Sequence, residues 1–408
     1  MSRIQTMAVL CGICAVTSSA QGAEYTIKPF ITIGEEYTDN VHETDTNHVS
    51  EYITRLLPGV TAQYKAPALD ADLGYMLDYR YYARNKRSNE LTHDLMAKAD
   101  LTVLDNFFFI EASESFQRTS LNVTRDVTRE SLVLDQTDRN LLTAAPFFVI
   151  RPGPRTTLTT GYRFISTQYS ESTAVDKTDH IGFMDASHEL TSRWSLTASY
   201  TYTRERSSLD DFSQHQAAAG FRYEYLDKSF VFAQAGNTWT SYDSGRRLDS
   251  LFWDAGATHD FGHVTATLNT GVRYDEDPLG NISEETFVSG NLTKRLQSGQ
   301  IGLTLYYSEF AKADTDKLET LKYGAAVLGT YQFTDRLSGT LGVTAEKYED
   351  KLFDYYTRLY LFDYGLSYLL AEKLTIGLSH IHVNSYSPEN ESDNRKVNRV
   401  TLLLTKQF

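Results

Sequence analysis

The chain has only 2 cysteines, 3 tryptophans and 8 prolines in 408 residues. Both cysteines, Cys11 and Cys14, lie near the N-terminus. Past that segment no thiol is left for a disulfide, a thiolate metal site or a cysteine nucleophile. No apolar run approaches the roughly eighteen residues of a membrane-spanning helix, and no amphipathic helical period is found beyond the N-terminal segment. Positive charge is also short: the formal net charge is −14, which argues against nucleic acid as a partner. No glycine-rich stretch has the spacing of a phosphate loop. Asp260-Phe261-Gly262 matches a kinase string without its companion motifs and reads as a hairpin turn.

Tyrosine and phenylalanine are abundant, at 27 and 21. Mean hydropathy is −0.39, yet a barrel strand needs only about ten residues, half of them polar, to cross a bilayer. The N-terminus reads as a secretory signal of residues 1–23. It has Arg3, an apolar core over 7–16, and small residues that place cleavage after Ala20 or Ala23. Its removal takes Arg3 and moves the charge from −14 to −15.

The remaining chain, 24–408, has period two. Val264, Ala266, Leu268, Thr270, Val272 and Tyr274 alternate with Thr265, Thr267, Asn269, Gly271, Arg273 and Asp275. Leu69, Ala71, Leu73, Tyr75, Leu77, Tyr79 and Tyr81 alternate with Asp70, Asp72, Gly74, Met76, Asp78, Arg80 and Tyr82. Such rows place apolar and polar side chains on opposite faces of a strand. Two stretches are less regular. Residues 355–370 carry Leu359, Leu361 and Leu369 in an otherwise polar row, and 230–242 has no tidy alternation.

Tight turns such as Lys65-Ala66-Pro67, Leu190-Thr191-Ser192-Arg193 and Leu296-Gln297-Ser298-Gly299 alternate with longer polar stretches such as 40–50, 119–137 and 384–395. This alternation predicts an all-β, transmembrane, antiparallel up-and-down barrel with short periplasmic turns and longer external loops. Counting between breaks gives about 20 strands, with 16 or 18 also open. The last strand ends on Phe408, in a row with Val400, Leu402, Leu404 and Lys406. A terminal aromatic on an amphipathic strand resembles the signal read by the outer-membrane barrel assembly machinery, so Phe408 is the candidate assembly signal.

The candidate lumen-lining residues are the charged members of the polar rows: Asp70, Asp72, Asp78, Arg80, Arg163 and Arg273. His380 and His382 share one strand face, but no third ligand is evident nearby, so they read as polar strand-end residues and not as a metal site. Ser, His and Asp are scattered without a catalytic motif, and the expectation is a protein that is no enzyme and needs no cofactor.

The opening strands carry Ile33-Gly34-Glu35-Glu36-Tyr37-Thr38-Asp39-Asn40-Val41, then Tyr52-Ile53-Thr54-Arg55-Leu56-Leu57-Pro58-Gly59-Val60, Tyr79-Arg80-Tyr81-Tyr82 and Leu91-Thr92-His93-Asp94-Leu95. This succession resembles the β-barrel porin type 2 family and relatives encoded with exopolysaccharide and PEP-CTERM protein-sorting systems. The resemblance implies an outer-membrane barrel associated with envelope polysaccharide, and no substrate. Its expected surroundings are the outer-membrane bilayer, the assembly machinery, exopolysaccharide and the periplasmic and inner-membrane proteins that make and export it. Two functions remain at this stage. One is a porin-like passive conduit for exopolysaccharide or small solutes; the other is a non-conducting structural barrel whose external loops bind polymer or envelope proteins.

Overall fold

A computed structural model describes residues 22–408, apart from 123, 126, 129, 130, 314 and 316. The expected signal core and the cut after Ala20 lie outside the described residues.

Twenty strands account for nearly all of it. The first five are β1 (Glu24–Thr38), β2 (Glu51–Ala66), β3 (Leu69–Tyr82), β4 (Glu90–Leu104) and β5 (Phe108–Ser120). They are followed by β6 (Gln136–Gly153), β7 (Thr156–Tyr169), β8 (Lys177–Glu189), β9 (Trp194–Ser207) and β10 (Phe212–Leu226). Next come β11 (Ser229–Tyr242), β12 (Arg247–Asp260), β13 (Val264–Glu276), β14 (Ile282–Leu296) and β15 (Gly299–Lys312). The last are β16 (Lys317–Gln332), β17 (Leu337–Asp350), β18 (Tyr355–Ala371), β19 (Leu374–Tyr386) and β20 (Arg395–Gln407). Each pairs antiparallel with its chain neighbours in one sheet. That sheet closes through β1 and β20, from Phe30 opposite Gln407 to Thr38 opposite Arg399. Closure leaves no open edge, so every strand can meet its backbone hydrogen-bonding needs without water.

Strands run from 13 to 18 residues, long enough to cross a bilayer when tilted. Their apolar and aromatic rows, including Leu73, Tyr79 and Tyr81 on β3 and Leu341 on β17, are exposed on the isolated chain. Lipid is the solvent that suits such a belt.

The two ends differ less sharply than the sequence predicts. Turns such as 67–68 and 297–298 are tight, and the loops 39–50 and 121–135 are long. The loops 208–211, 243–246 and 351–354, however, are no longer than the turns 190–193 and 333–336. The strands extend into stretches that read as polar loop, because polar residues beyond the membrane still pair.

The irregular segments have a physical cause. Within 230–242, Phe232 lies in the polar row opposite Gly256, and a Cβ on Gly256 would run into its ring. Phe30 over Gly59, Phe287 over Gly271 and Tyr306 over Gly324 repeat the arrangement. Glycine gives each ring a floor, and the ring covers backbone the glycine leaves bare. Leu359 and Leu361 instead join Val383 and Val397 in an apolar cluster that is at most 6% exposed. A second cluster joins Ile53 and Tyr82 to Val41 of the β1–β2 loop. That loop therefore turns back over the polar-row face of the wall.

Candidate functional site

The charged polar-row residues fall into two environments along the strand axis. Near the turn end, Asp70 stands opposite Lys65 and Asp100, and Asp72 opposite Gln63 and Lys98. Asp70 and Asp72 are exposed. Lys98 Nζ donates to Asp100 Oδ2 at 2.8 Å, with side chains 61% and 41% exposed. Exposed pairs of this kind contribute little to stability.

Toward the loop end the same row is closed in. Arg55 bridges Asp78 at 2.7 Å and Glu36 at 3.4 Å, and Arg80 Nε meets Asp78 Oδ2 at 3.0 Å. These four side chains are 5–17% exposed. Asp78 thus anchors a four-residue network across three strands, and Thr401 of β20 donates to Glu36 across the closing seam at 3.4 Å. Asp78 and Arg80 meet in this network. Arg55 and Glu36 complete them, and the facing registers of β1, β2 and β3 bring them there.

Arg163 and Arg273 stand on other parts of the wall, apart from this network. Both lie over a phenylalanine of the next strand, Arg163 over Phe183 and Arg273 over Phe287, each at 5.0 Å. Each of those rings is paired with a glycine two residues before the arginine, Gly161 and Gly271. The stacking fixes an otherwise mobile guanidinium. Arg273 also donates to Glu285 at 2.5 Å.

Sequence reasoning missed the packing of the loops. The β5–β6 loop, 121–135, crosses to residues far away around the wall. Arg125 donates to Asp393 of the β19–β20 loop at 3.1 Å and to Ser385 of β19 at 3.5 Å. Its guanidinium also lies 5.1 Å over the Tyr348 ring of β17. Thr357 donates to the same Asp393 oxygen at 2.6 Å. Leu132 N donates to Glu43 of the β1–β2 loop, and Leu132 O accepts from Arg87 of the β3–β4 loop. Ser385 is the strand partner of Leu359, which places Arg125 beside the first apolar cluster.

From the other side, Val175 N donates to Pro278 O at 2.7 Å, tying the β7–β8 and β13–β14 loops together. Lys177 donates to Glu276 at 2.6 Å, again between β8 and β13. A cavity of about 540 Å³ separates that loop pair from the ends of β5 and β6 and is lined by Arg118, Thr128, Arg139, Tyr169, Glu276 and Pro278. The loop end of the barrel is therefore spanned by contacts between non-neighbouring loops. The only legible signal for this was Leu359 and Leu361 in a polar row.

His380 and His382 share a row, as expected. Their rings pack against Tyr364 and Phe362, and His382 Nδ1 bonds Asn398 Oδ1 at 2.7 Å. Among the described residues no cluster of three or more His, Cys, Asp or Glu is placed to hold a metal. Phe408 follows β20, with its N–H donating to Pro29 O at 3.0 Å.

No protein-family model and no curated protein matches the sequence. Solved structures do match the fold. The copper transporter OprC aligns with a TM-score of 0.57 at 9% identity, over 96% of this chain and 81% of its own. An FrpB iron transporter from Neisseria meningitidis gives 0.55 at 9% identity, over 93% and 81%. The siderophore receptor PirA from Pseudomonas aeruginosa gives 0.53 at 10% identity, over 94% and 80%. Identities this low speak for the fold alone. The chain has the fold of the outer-membrane β-barrels.

Proposed function

We propose that this barrel is a porin-like passive conduit of the outer membrane for hydrated sugars or small solutes, connected with exopolysaccharide export. Twenty strands spaced ~4.8 Å apart and tilted ~40° enclose a backbone cylinder roughly 40 Å across. Barrels of sixteen to eighteen strands already leave an aqueous channel. Asp70, Asp72, Asp78, Arg80, Arg163 and Arg273 are assigned to the inner lining, among Thr, Ser, Asn and Gly. Hydroxyls and amides exchange hydrogen bonds with a polyol, and charges of both signs hold it weakly enough for release. The observation that carries the reading is the exposed mixed-charge row Asp70, Asp72, Lys98 and Asp100 near the turn end. The exopolysaccharide connection rests on the sequence resemblance. Transport would then be driven by an inner-membrane partner.

The loop contacts favour a second reading, in which the covered loop end makes this a non-conducting structural barrel. Planar-bilayer conductance of the purified chain, with and without residues 121–135, separates the two. A conduit conducts, and more strongly after the deletion. In cells, loss of the protein should leave polymer synthesis intact and remove surface polymer. If the deleted form carries no current and surface polymer is unchanged, the structural reading replaces the conduit.

A further inference from the structure

Several glycines of the polar rows are covered. At Gly59, Gly256, Gly271 and Gly324 a neighbour's ring occupies the space a side chain would take. Gly302 of β15 and Gly342 of β17 are left open. A Cβ on Gly302 would come no nearer than 3.8 Å to another atom, and one on Gly342 no nearer than 3.4 Å. Together they leave a recess of about 400 Å³ in the wall from β14 to β18. Ordinary ligand sites measure ~300–1,000 Å³.

Strand register puts the lining on one face in three adjoining lines. The central line runs Thr293, Gly302, Leu328, Gly342 and Asp363, each the direct partner of the next. On its loop side Asn291 is opposite Thr304. On its turn side Gln300 is opposite Thr330, and Thr330 opposite Thr340, all three exposed. Asn291 is held in place: its Nδ2 donates to Thr304 Oγ1 at 2.9 Å, and its Oδ1 accepts from Thr293 Oγ1 at 2.8 Å. These two bonds leave the Thr304 hydroxyl hydrogen, the Thr293 lone pairs and a second Asn291 N–H for a ligand. Two members stand out from plain polarity. Leu328, 51% exposed, lies between the two open glycines. Asp363 is the one ionisable residue of the lining, and its direct partners, Gly342 and Ile381, offer it no side-chain donor. Arg295, opposite Gln300, is outside the lining.

We propose that the recess between β14 and β18 is a subsite for neutral glycosyl units, with Leu328 under the sugar ring and Asp363 accepting from a vicinal diol. A pyranose has an apolar C–H face and a rim of hydroxyls. The recess answers with an apolar floor, hydroxyls and amides on both sides, and a carboxylate at one end. A carboxylate has two oxygens and can accept from two adjacent hydroxyls at once. An anionic sugar would meet Asp363 as a like charge. The inference rests on the sugar-conduit reading and adds where on the wall the sugar is held.

The test is saturation-transfer NMR on the full chain in detergent micelles, a readout that needs no current. Maltotetraose and cellotetraose are the probes, and at least one should show saturable contact at its ring protons. Gly302→Leu, which fills the recess, should abolish that contact. Asp363→Ala should weaken binding about tenfold, through loss of charge-assisted hydrogen bonds. Gly182→Leu, an equal insertion on the apolar row of β8, should leave it unchanged. Barrels that shift on a gel only after heating confirm folding, and Asp363→Ala alone serves if Gly302→Leu fails that check. No contact from either probe overturns the subsite, as does contact that either folded variant retains at full strength. Tighter binding of spermidine or trigalacturonate makes charge the determinant and overturns the neutral-sugar assignment. A barrel that conducts without binding sugar keeps the conduit and loses the subsite; sugar contact without conductance does the reverse.

Discussion

Arg125, on the loop after β5, donates to Asp393, on the loop before β20, at 3.1 Å. Going around the closed sheet, five strand pairings separate β5 from β20, yet a single ion pair joins their loops across the loop end of the barrel. A charge-assisted hydrogen bond of this kind contributes ~1.5–3 kcal/mol when it is lost. Arg125→Gln should therefore release the loop, and single-channel recordings should show longer open times than in the parent chain. Unchanged recordings would mean that Arg125 does not hold the loop closed.

The loop packing also sets which positions can be labelled. Ser392 is exposed at the loop end and Ser298 at the turn end, whereas Ser131 is only 1% exposed. Ser392→Cys should react with an impermeant maleimide on intact cells, and Ser298→Cys should not. Ser131→Cys should react only after Arg125→Gln or in unfolded protein. Both cysteines are confined to positions 11 and 14, so no thiol in the strands or loops competes. Labelling of Ser298→Cys from outside would invert the topology.

The ring-over-glycine pairs predict a stability effect on the polar rows. Gly256→Val puts a branched side chain where the Phe232 ring lies. It should cost ~1–3 kcal/mol through overpacking, read as a lower urea midpoint for folding into micelles. Gly182→Val, at a glycine whose Cβ would meet nothing within 4 Å, should cost less. Equal losses would remove the packing explanation.

Phe408 lies past the closing seam and is 62% exposed, and its backbone N–H donates to Pro29 O. Removing it deletes a mostly exposed side chain beyond the last paired residue. Its deletion should slow assembly in cells and leave more protease-sensitive chain in the periplasm. The urea midpoint of the refolded protein should stay within ~0.5 kcal/mol of the parent, as for other exposed positions. Normal assembly in the truncated chain removes Phe408 as the assembly signal.

At the loop 243–246, paired hydrogen bonds from Arg204 hold the Asp243 carboxyl below its ordinary range. A depressed carboxylate stabilises the fold above its unfolded pKa, and that contribution fades as pH falls through the folded value. Arg204→Gln should return Asp243 to the usual carboxylate range, visible as an upward-shifted midpoint in a carboxyl-carbon NMR titration. An unmoved midpoint would show that the pair does not persist in solution.

The local pattern determined most of the architecture. Period two in segments such as 69–82 and 264–275 set which residues share a strand face. The alternating turns set an antiparallel meander, and the even count let the first and last strands meet. These features follow from neighbours in sequence, because a strand's two faces are fixed by its own backbone. The row of Asp70, Asp72, Asp78 and Arg80 was legible for the same reason. Its division into exposed and ion-paired halves was not, since Asp78 depends on Arg55 and Glu36 from other strands. Nor did any local rule bring Arg125 to Asp393 or explain Leu359 and Leu361. Those positions answer to a loop that arrives from a distant part of the wall. Contacts across a closed barrel are set by strand number, register and loop reach together, and only the tertiary structure brings the three into one geometry.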